Sequence, residues 1–222
     1  MRLTREEHGC VAAAVAEAET GTDGEIVTII ARQSDSYRDV ALHYALLGVL
    51  LVPALFAIVP DLLRAKLTLF TSGWETPSLA QMLIVVLVVQ AIVFLIIRYA
   101  LEWTKLRVAL TPRATKSRRV RRRAVALFRA SAENRTMTRV GILLYLSFDE
   151  HMAEIVADES IHQKVASERW GDAMAALIDH VRRGDTAGGM IAAIGAMGEV
   201  LSEHFPKSEG NPNELPNRLI EL

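Results

Sequence analysis

Two uninterrupted apolar stretches occupy the middle of this chain of 222 residues. Residues 40–60 carry no formal charge apart from the titratable His43, and residues 76–97 carry none. An α-helix rises about 1.5 Å per residue, so either stretch can cross a hydrocarbon core about 30 Å thick. We therefore predict a transmembrane hairpin over residues 40–100, with spans at about 40–60 and 78–98 and a turn from Asp61 to Ser78.

Basic residues follow the second stretch, and they indicate the orientation of the hairpin. Residues 98–123 hold ten Lys or Arg, whereas the turn holds only Arg64 and Lys66. By the positive-inside rule, both termini are cytoplasmic and the turn faces outward. The N-terminus has no apolar run after its charges, so we expect no cleavable signal peptide. The predicted location is the bacterial inner (plasma) membrane.

The segment before the hairpin predicts one helix and one strand. Thr4 and Glu7 have the spacing of a capping box at the start of a helix that ends near Glu19. We expect the single cysteine, Cys10, to pack near the apolar face of this helix. Residues 25–31 (EIVTIIA) are β-branched and mostly apolar, which is typical of a buried strand.

The segment after the hairpin predicts an amphipathic helix, two strands and two further helices. The strands, at 139–148 and 151–158, are separated by a tight turn and should form an antiparallel hairpin. The helices are expected at 114–133, at 160–183 with an interruption at Trp170-Gly171, and at 187–204 after a Gly184 cap and an Asp185 N-cap.

The strand at 25–31 must find its partners beyond the apolar stretches, because an isolated strand of seven residues is not stable. The membrane hairpin is therefore predicted to be an insertion into one α/β domain. This domain comprises residues 1–39 and 113–206 and is cytoplasmic. Residues 207–222, which contain Pro212 and Pro216 and follow Pro206, are predicted to form an irregular C-terminal tail.

Several segments resemble the TPM domain family, in its membrane-embedded bacterial branch. They are TGTDGEIVTII (20–30), RVGILLYLS (139–147), EIVADESI (154–161), Trp170 and RGDTAGGM (183–190). The resemblance implies a three-layer α/β/α sandwich with a small mixed sheet. It also implies phosphatase-like activity with Ca²⁺ or Mg²⁺, as in some members, or assembly and repair of membrane complexes, as in others.

Acidic residues near the predicted strand ends are the candidate metal ligands. Asp35 and Asp39 follow the first strand, where α/β proteins commonly bind ligands, and Asp158 or Asp149 could join them. The acids do not alternate as they do in a calcium loop. The alternative interpretation is a polar collar between strand and membrane, in which Asp39 caps the first turn of the span.

The basic stretch from Arg113 to Arg123 contains no acidic residue. Three interpretations fit it: a topology signal on a solvated helix face, a contact with anionic lipid, or nucleic-acid binding. Nucleic acid is disfavoured because no aromatic residues are interleaved and the net charge of the chain is −1. The candidate lipid contacts are Arg118, Arg119, Arg121, Arg122 and Arg123.

No motif identifies a reaction, since Cys-x5-Arg and Asp-x-Asp signatures are absent from the sequence. The leading hypothesis is a non-catalytic accessory or scaffolding module, with membrane lipids and another membrane protein or complex as partners. The alternative is a membrane-bound metal-dependent phosphatase. Within the first span, Pro53 is expected to kink the helix, and a neighbouring helix is expected to satisfy the freed carbonyl.

Overall fold

A computed structural model describes residues 3–61, 78–131, 140–208 and 215–222. The chain divides into two compact units, one made of Met1–Asp35 with Arg113–Leu222 and the other of Ser36–Pro112. Nearly all of the predicted extramembrane turn lies outside the described residues, as does Arg139 at the start of a predicted strand.

The first unit is built on a mixed four-stranded sheet of order β3-β2-β1-β4. Strand β1 (Glu25–Ala31) pairs in parallel with β2 (Gly141–Ser147), with Glu25 opposite Gly141 and Ala31 opposite Ser147. Strand β3 (Met152–Ala157) returns antiparallel to β2. The predicted pairing of the first strand with the later ones, and with it the α/β fold class, is confirmed.

The C-terminal residues form a strand where the sequence predicts an irregular tail. Strand β4 (Leu219–Glu221) pairs in parallel with β1, and Leu222 N donates to Ile30 O at 2.9 Å. The physical reason is that β1 is buried along its whole length and has a second edge whose backbone groups need partners. Leu215 and Leu219 are both buried as the tail reaches that edge.

Eight α-helices lie within the described residues, together with 3₁₀ turns at Glu19–Gly21 and Ser167–Trp170. The predicted break near Trp170 is therefore present, as a 3₁₀ turn that precedes a new helix at Gly171. The helices are α1 (Arg5–Ala18), α2 (Arg38–Ile58), α3 (Leu79–Ala100), α4 (Thr104–Leu110), α5 (Arg113–Ser131), α6 (Glu159–Lys164), α7 (Gly171–Arg182) and α8 (Thr186–His204).

Helices cover both faces of the sheet, which gives three layers. Helix α5 buries Val120, Ala124 and Phe128, at a spacing of four residues, in a cluster with Leu143 and Tyr145 of β2. On the other face, α1, α7 and α8 bury their apolar stripes against the alternate side chains of the strands. The apolar cores on the two faces hold the sheet between them.

The second unit contains α2 and α3, which are both long and apolar enough to cross a membrane. No residue of α3 is buried, and only four residues of α2 are buried. The two helices approach closely at Gly48, where a Cβ atom would clash with Ile97 and press against Val93. Close approach at a glycine is typical of paired membrane helices.

Pro53 lies inside α2, and its ring nitrogen cannot donate to the carbonyl four residues earlier, at Val49. Gln90 of α3 supplies the missing donor, because its Nε2 lies 3.1 Å from Val49 O. The expectation that a neighbouring helix satisfies the freed carbonyl is confirmed. This hydrogen bond also fixes the register of the two helices.

Two buried carboxylates, Glu19 and Glu25, lie just before β1 and at its first residue. Glu19 Oε1 accepts from Ile26 N at 2.8 Å, and Glu25 Oε2 accepts from Leu215 N at 3.2 Å. Burial raises the pKa of Glu19 to about 7, and the nearby Glu25 adds to the rise while the Ile26 bond opposes it. Glu25 therefore contacts the C-terminal segment that leads into β4.

Replacing Gln90 with Leu should weaken the α2–α3 pair by about 1 kcal/mol, because the Val49 carbonyl loses its donor. In a Pro53→Ala background the same substitution should cost almost nothing, since the backbone N–H of residue 53 takes over that carbonyl. Unfolding of the full chain in mixed micelles, followed by circular dichroism, measures both costs. Equal costs in the two backgrounds would contradict the assigned hydrogen bond.

The first unit should lose stability as the pH rises from about 4.5 to about 7. Folded Glu19 has a pKa of about 7 against 4.5 for the ordinary group, so the folded state holds the extra proton in this window. The loss is at most about 3 kcal/mol. The melting temperature of the wild type in detergent should be higher at pH 5 than at pH 8. The Glu19→Gln substitution should reduce that difference. An unchanged difference in the variant would assign the pH dependence to another group.

Candidate functional site

A cluster of polar side chains lies at the carboxyl ends of β1 and β2. Ser34 follows β1, Tyr145 and Ser147 belong to β2, and Glu150 lies in the turn before β3. Because β1 and β2 are parallel and in register up to Ala31 and Ser147, both loops emerge at the same edge of the sheet. This is the edge at which α/β proteins commonly bind ligands.

The hydroxyl groups of the cluster form a directed chain that ends at a carboxylate. Ser34 Oγ donates to Ser147 Oγ at 2.8 Å, and Ser147 Oγ donates to Glu150 Oε2 at 2.6 Å. A hydroxyl has a single proton, so Tyr145 is the donor in its 2.9 Å bond with Ser34. The other oxygen of Glu150 accepts from Ser34 N at 2.8 Å.

Burial determines what this chain of hydroxyls can do. Ser147 is fully buried and Glu150 is 3% exposed. The pKa of Tyr145 is raised, mainly by burial, and the bonds with Ser34 and Ser147 oppose the rise. A serine beside a carboxylate is an arrangement found in nucleophilic catalysis, but a substrate cannot reach a fully buried Oγ. The arrangement instead supplies a buried carboxylate with the donors that it requires.

Asp35 meets a guanidinium group at this edge. Arg119 Nη1 of α5 lies 3.2 Å from Asp35 Oδ2, and the Arg119 side chain is only 12% exposed. Gln33 also donates to the backbone carbonyl of Asp35. The candidate metal ligand Asp35 is thus an ion-pair partner, and the candidate lipid contact Arg119 is turned inward at the edge of the buried face of α5.

Among the other candidate metal ligands, Asp158 lies at the opposite end of the sheet from Asp35, and Asp39 and Asp149 have positions of their own. Asp158 Oδ2 accepts from Gly141 N at 2.8 Å, at the opposite end of β2, and seven residues of strand span about 20 Å. Asp39 is in the first turn of α2, in the second unit. Asp149 Oδ2 lies 3.8 Å from Arg32 Nε.

No group of three or more His, Cys, Asp or Glu residues able to hold a metal ion occurs within the described ranges. A calcium ion takes six to eight oxygen ligands, and an arginine beside its carboxylate opposes a cation. The described residues at this edge therefore do not fit the Ca²⁺ or Mg²⁺ that the family resemblance implies.

The candidate lipid contacts on α5 fall into two groups. Arg119 and Arg121 are tied to the first unit, the latter through Nη1 at 3.4 Å from Glu154 Oε2. Burial raises the pKa of Glu154, and Arg121 opposes that rise. The remaining three side chains are exposed: Arg118, Arg122 and Arg123.

Cys10 is exposed, so the expectation that it packs near the apolar face of α1 is wrong. Val11 and Val15 form the buried stripe of this helix. Cys10 precedes Val11 by one position, and that step of about 100° around the helix turns it to solvent.

Sequence reasoning missed Ser147 and Glu150. The segment after β1 attracts notice as a polar run that follows an apolar strand. Ser147, in contrast, is the last residue of a strongly predicted strand, and Glu150 has the sequence context of an ordinary turn residue. The only available signal was that both residues stand at the end of a strand parallel to β1, and this requires the pairing to be known.

Comparison with known proteins gives a family match and a similar fold. Residues 99–200 match the model of the family described as TPM domain. The fold is similar to the NMR structure of the BA42 protein from the psychrophilic bacterium Bizionia argentinensis, with a TM-score of 0.58 and 16% sequence identity, over 100% of this chain and 97% of that one. No curated protein matches the sequence. Strand β1 lies outside the matched residues and is joined to them by its pairing with β2.

Replacing Ser147 with Ala should destabilise the first unit by about 1–3 kcal/mol, because a buried carboxylate loses a charge-assisted donor. The matched control is Ser202→Ala, which removes an exposed hydroxyl bonded to Glu199 O and should change stability by less than about 0.5 kcal/mol. Thermal melting of the full chain in detergent compares the two. Equal losses would mean that the Ser147–Glu150 bond adds nothing.

Proposed function

We propose that this chain, in which residues 99–200 match the TPM domain model, is a non-catalytic accessory module anchored in the bacterial inner membrane. The single observation that carries the proposal is that the carboxylates at the carboxyl ends of β1 and β2 already have partners. These carboxylates are engaged by groups of the same unit, with Arg119 on Asp35 and Ser147 and Ser34 on Glu150. An edge closed in this way favours a structural role over turnover.

The exposed apolar surface of α2 and α3 supports membrane anchoring. Soluble proteins rarely expose apolar patches of this size, and a bilayer would cover them. The basic residues after α3 support cytoplasmic termini. The large apolar side chains that are at least half exposed on these helices include Leu42, Leu46, Leu50, Leu51, Leu83, Ile84, Leu87 and Ile96.

The proposed role is to hold a membrane protein or complex at the cytoplasmic surface. Resemblance to TPM proteins that assist assembly or repair of membrane complexes supports this role. In this proposal the α2–α3 pair is fixed by Gly48 and by the Gln90–Val49 bond. A rigid anchor of this kind suits a module that positions a partner.

A membrane-bound phosphatase is the rival function, and one observation favours it. Asp35 and Glu150 place two carboxylates at the edge where the ends of β1 and β2 meet. A metal-dependent phosphatase would need such groups free to take a cation and a phosphoryl oxygen. Their present contacts with Arg119 and Ser147 are the reason why this function ranks second.

A phosphomonoester assay separates the two functions. The full chain in detergent is given p-nitrophenyl phosphate with Ca²⁺ or Mg²⁺. We expect it to hydrolyse this substrate no faster than the Asp35→Ala and Asp39→Ala variants do. We also expect neither ion to shift the melting temperature. Turnover that is lost in Asp35→Ala and kept in the control Asp172→Ala, on the exposed start of α7, would overturn the non-catalytic proposal.

A further inference from the structure

We propose that the exposed arginines of α5 form a binding face for the head groups of anionic phospholipids. This arginine face consists of Arg118, Arg122 and Arg123. The inference deepens the proposed function and rests on the membrane anchoring stated there. It selects three of the five arginines that the sequence offered as lipid contacts.

Ion pairing separates the arginine face from its neighbours on the same helix. Arg119 and Arg121 form ion pairs with Asp35 and Glu154 of the first unit. No acidic side chain within the described ranges pairs with Arg118, Arg122 or Arg123. These three charges are therefore available to an external anion.

Helix geometry places Arg118 and Arg122 away from the core, whereas Arg123 lies about 40° from the inward Arg119. Val120 and Ala124 mark the buried stripe of α5. At about 100° per residue, Arg118 and Arg122 lie about 40° apart around the helix. Each of them lies about 160° from Val120. Two guanidinium groups one turn apart on an exposed surface can engage neighbouring phosphate groups, and Arg123 extends the positive charge to one side.

Chain connectivity supplies the second argument. Only residues 101–112 separate the end of α3 from the start of α5. A linker of twelve residues reaches at most about 43 Å when fully extended. A span in the bilayer would therefore tether α5 by a linker short enough for its arginine face to reach the lipid surface. Anionic lipids attract juxtamembrane basic residues, and this attraction fades within a Debye length of the surface.

A nucleic acid is the other polyanion that could bind such a face. Binding to single strands depends largely on aromatic side chains on which bases stack, and α5 offers only Phe128, which is buried in the core. The chemistry on this face is charge alone. Phospholipid is therefore the partner that the position beside the predicted span favours.

The test uses the full chain in nanodiscs and a fluorophore on the arginine face. Ala126 is exposed on α5, so Ala126→Cys in a Cys10→Ser background takes the label beside Arg122. The native Cys10 provides a reference label on α1, which packs on the opposite face of the sheet from α5. The discs contain either phosphatidylcholine alone or about 30% phosphatidylglycerol, with a trace of quencher lipid labelled on its head group.

We expect phosphatidylglycerol to increase quenching at residue 126 and to leave the Cys10 label unchanged. Arg118→Gln with Arg122→Gln should reduce the increase at least about fivefold, in line with the attraction of each charge to an anionic surface. The matched control is Arg182→Gln with Arg183→Gln, which removes the same charge from the exposed end of α7 and should retain the increase. Melting temperatures verify that both variants fold.

The outcomes distinguish this inference from the proposed function. A chain that does not co-purify with the discs overturns the membrane anchoring itself. A chain that co-purifies but responds equally to both lipids overturns the arginine face alone. An equal loss in the control pair, or a label at residue 126 that responds to a DNA duplex and not to phosphatidylglycerol, also overturns it.

Discussion

Parallel pairing of β1 with β2 is the contact on which the first unit depends. It joins residues on the two sides of an apolar hairpin, so the strand before the insertion has no other way to satisfy its first edge. Everything at the carboxyl edge follows from the register of this pair. Ala31 opposite Ser147 brings the loop with Ser34 onto the turn with Glu150, and the Tyr145–Ser34–Ser147–Glu150 chain closes there.

The second unit pairs two helices that are both long and apolar enough to cross a membrane. Its specificity comes from three features: the close approach at Gly48, the carbonyl released by Pro53 and the amide of Gln90. Proline creates an unsatisfied acceptor in one helix, and the polar side chain in the other helix satisfies it. A polar residue in an apolar span is costly unless it has such a partner.

The sequence predicts the elements with strong local patterns and misses those that depend on tertiary register. β1 is a β-branched apolar run and β2 is an apolar run rich in leucine, so both were predictable, and Thr4 and Asp185 have the side chains of helix N-caps. β4 has only three residues, too few for a pattern. The apolar pattern of α5 shows which side of the helix faces the core, but Arg119 stands at the border of that side, and its partner lies in the loop after β1. For that reason the inward turn of Arg119 and its pair with Asp35 were not foreseen.

The split of the sheet also dictates an order of events during synthesis. Gly141 follows Ala31 by 110 positions, and ribosomes add about 5–20 residues per second, so β1 waits roughly 5–20 s for its first neighbour. Both apolar helices leave the ribosome during that interval. Its second neighbour, β4, is among the last residues to be made. A seven-residue apolar strand left bare for so long is a hazard for aggregation, and early insertion of α2 and α3 would hold it apart from other nascent chains.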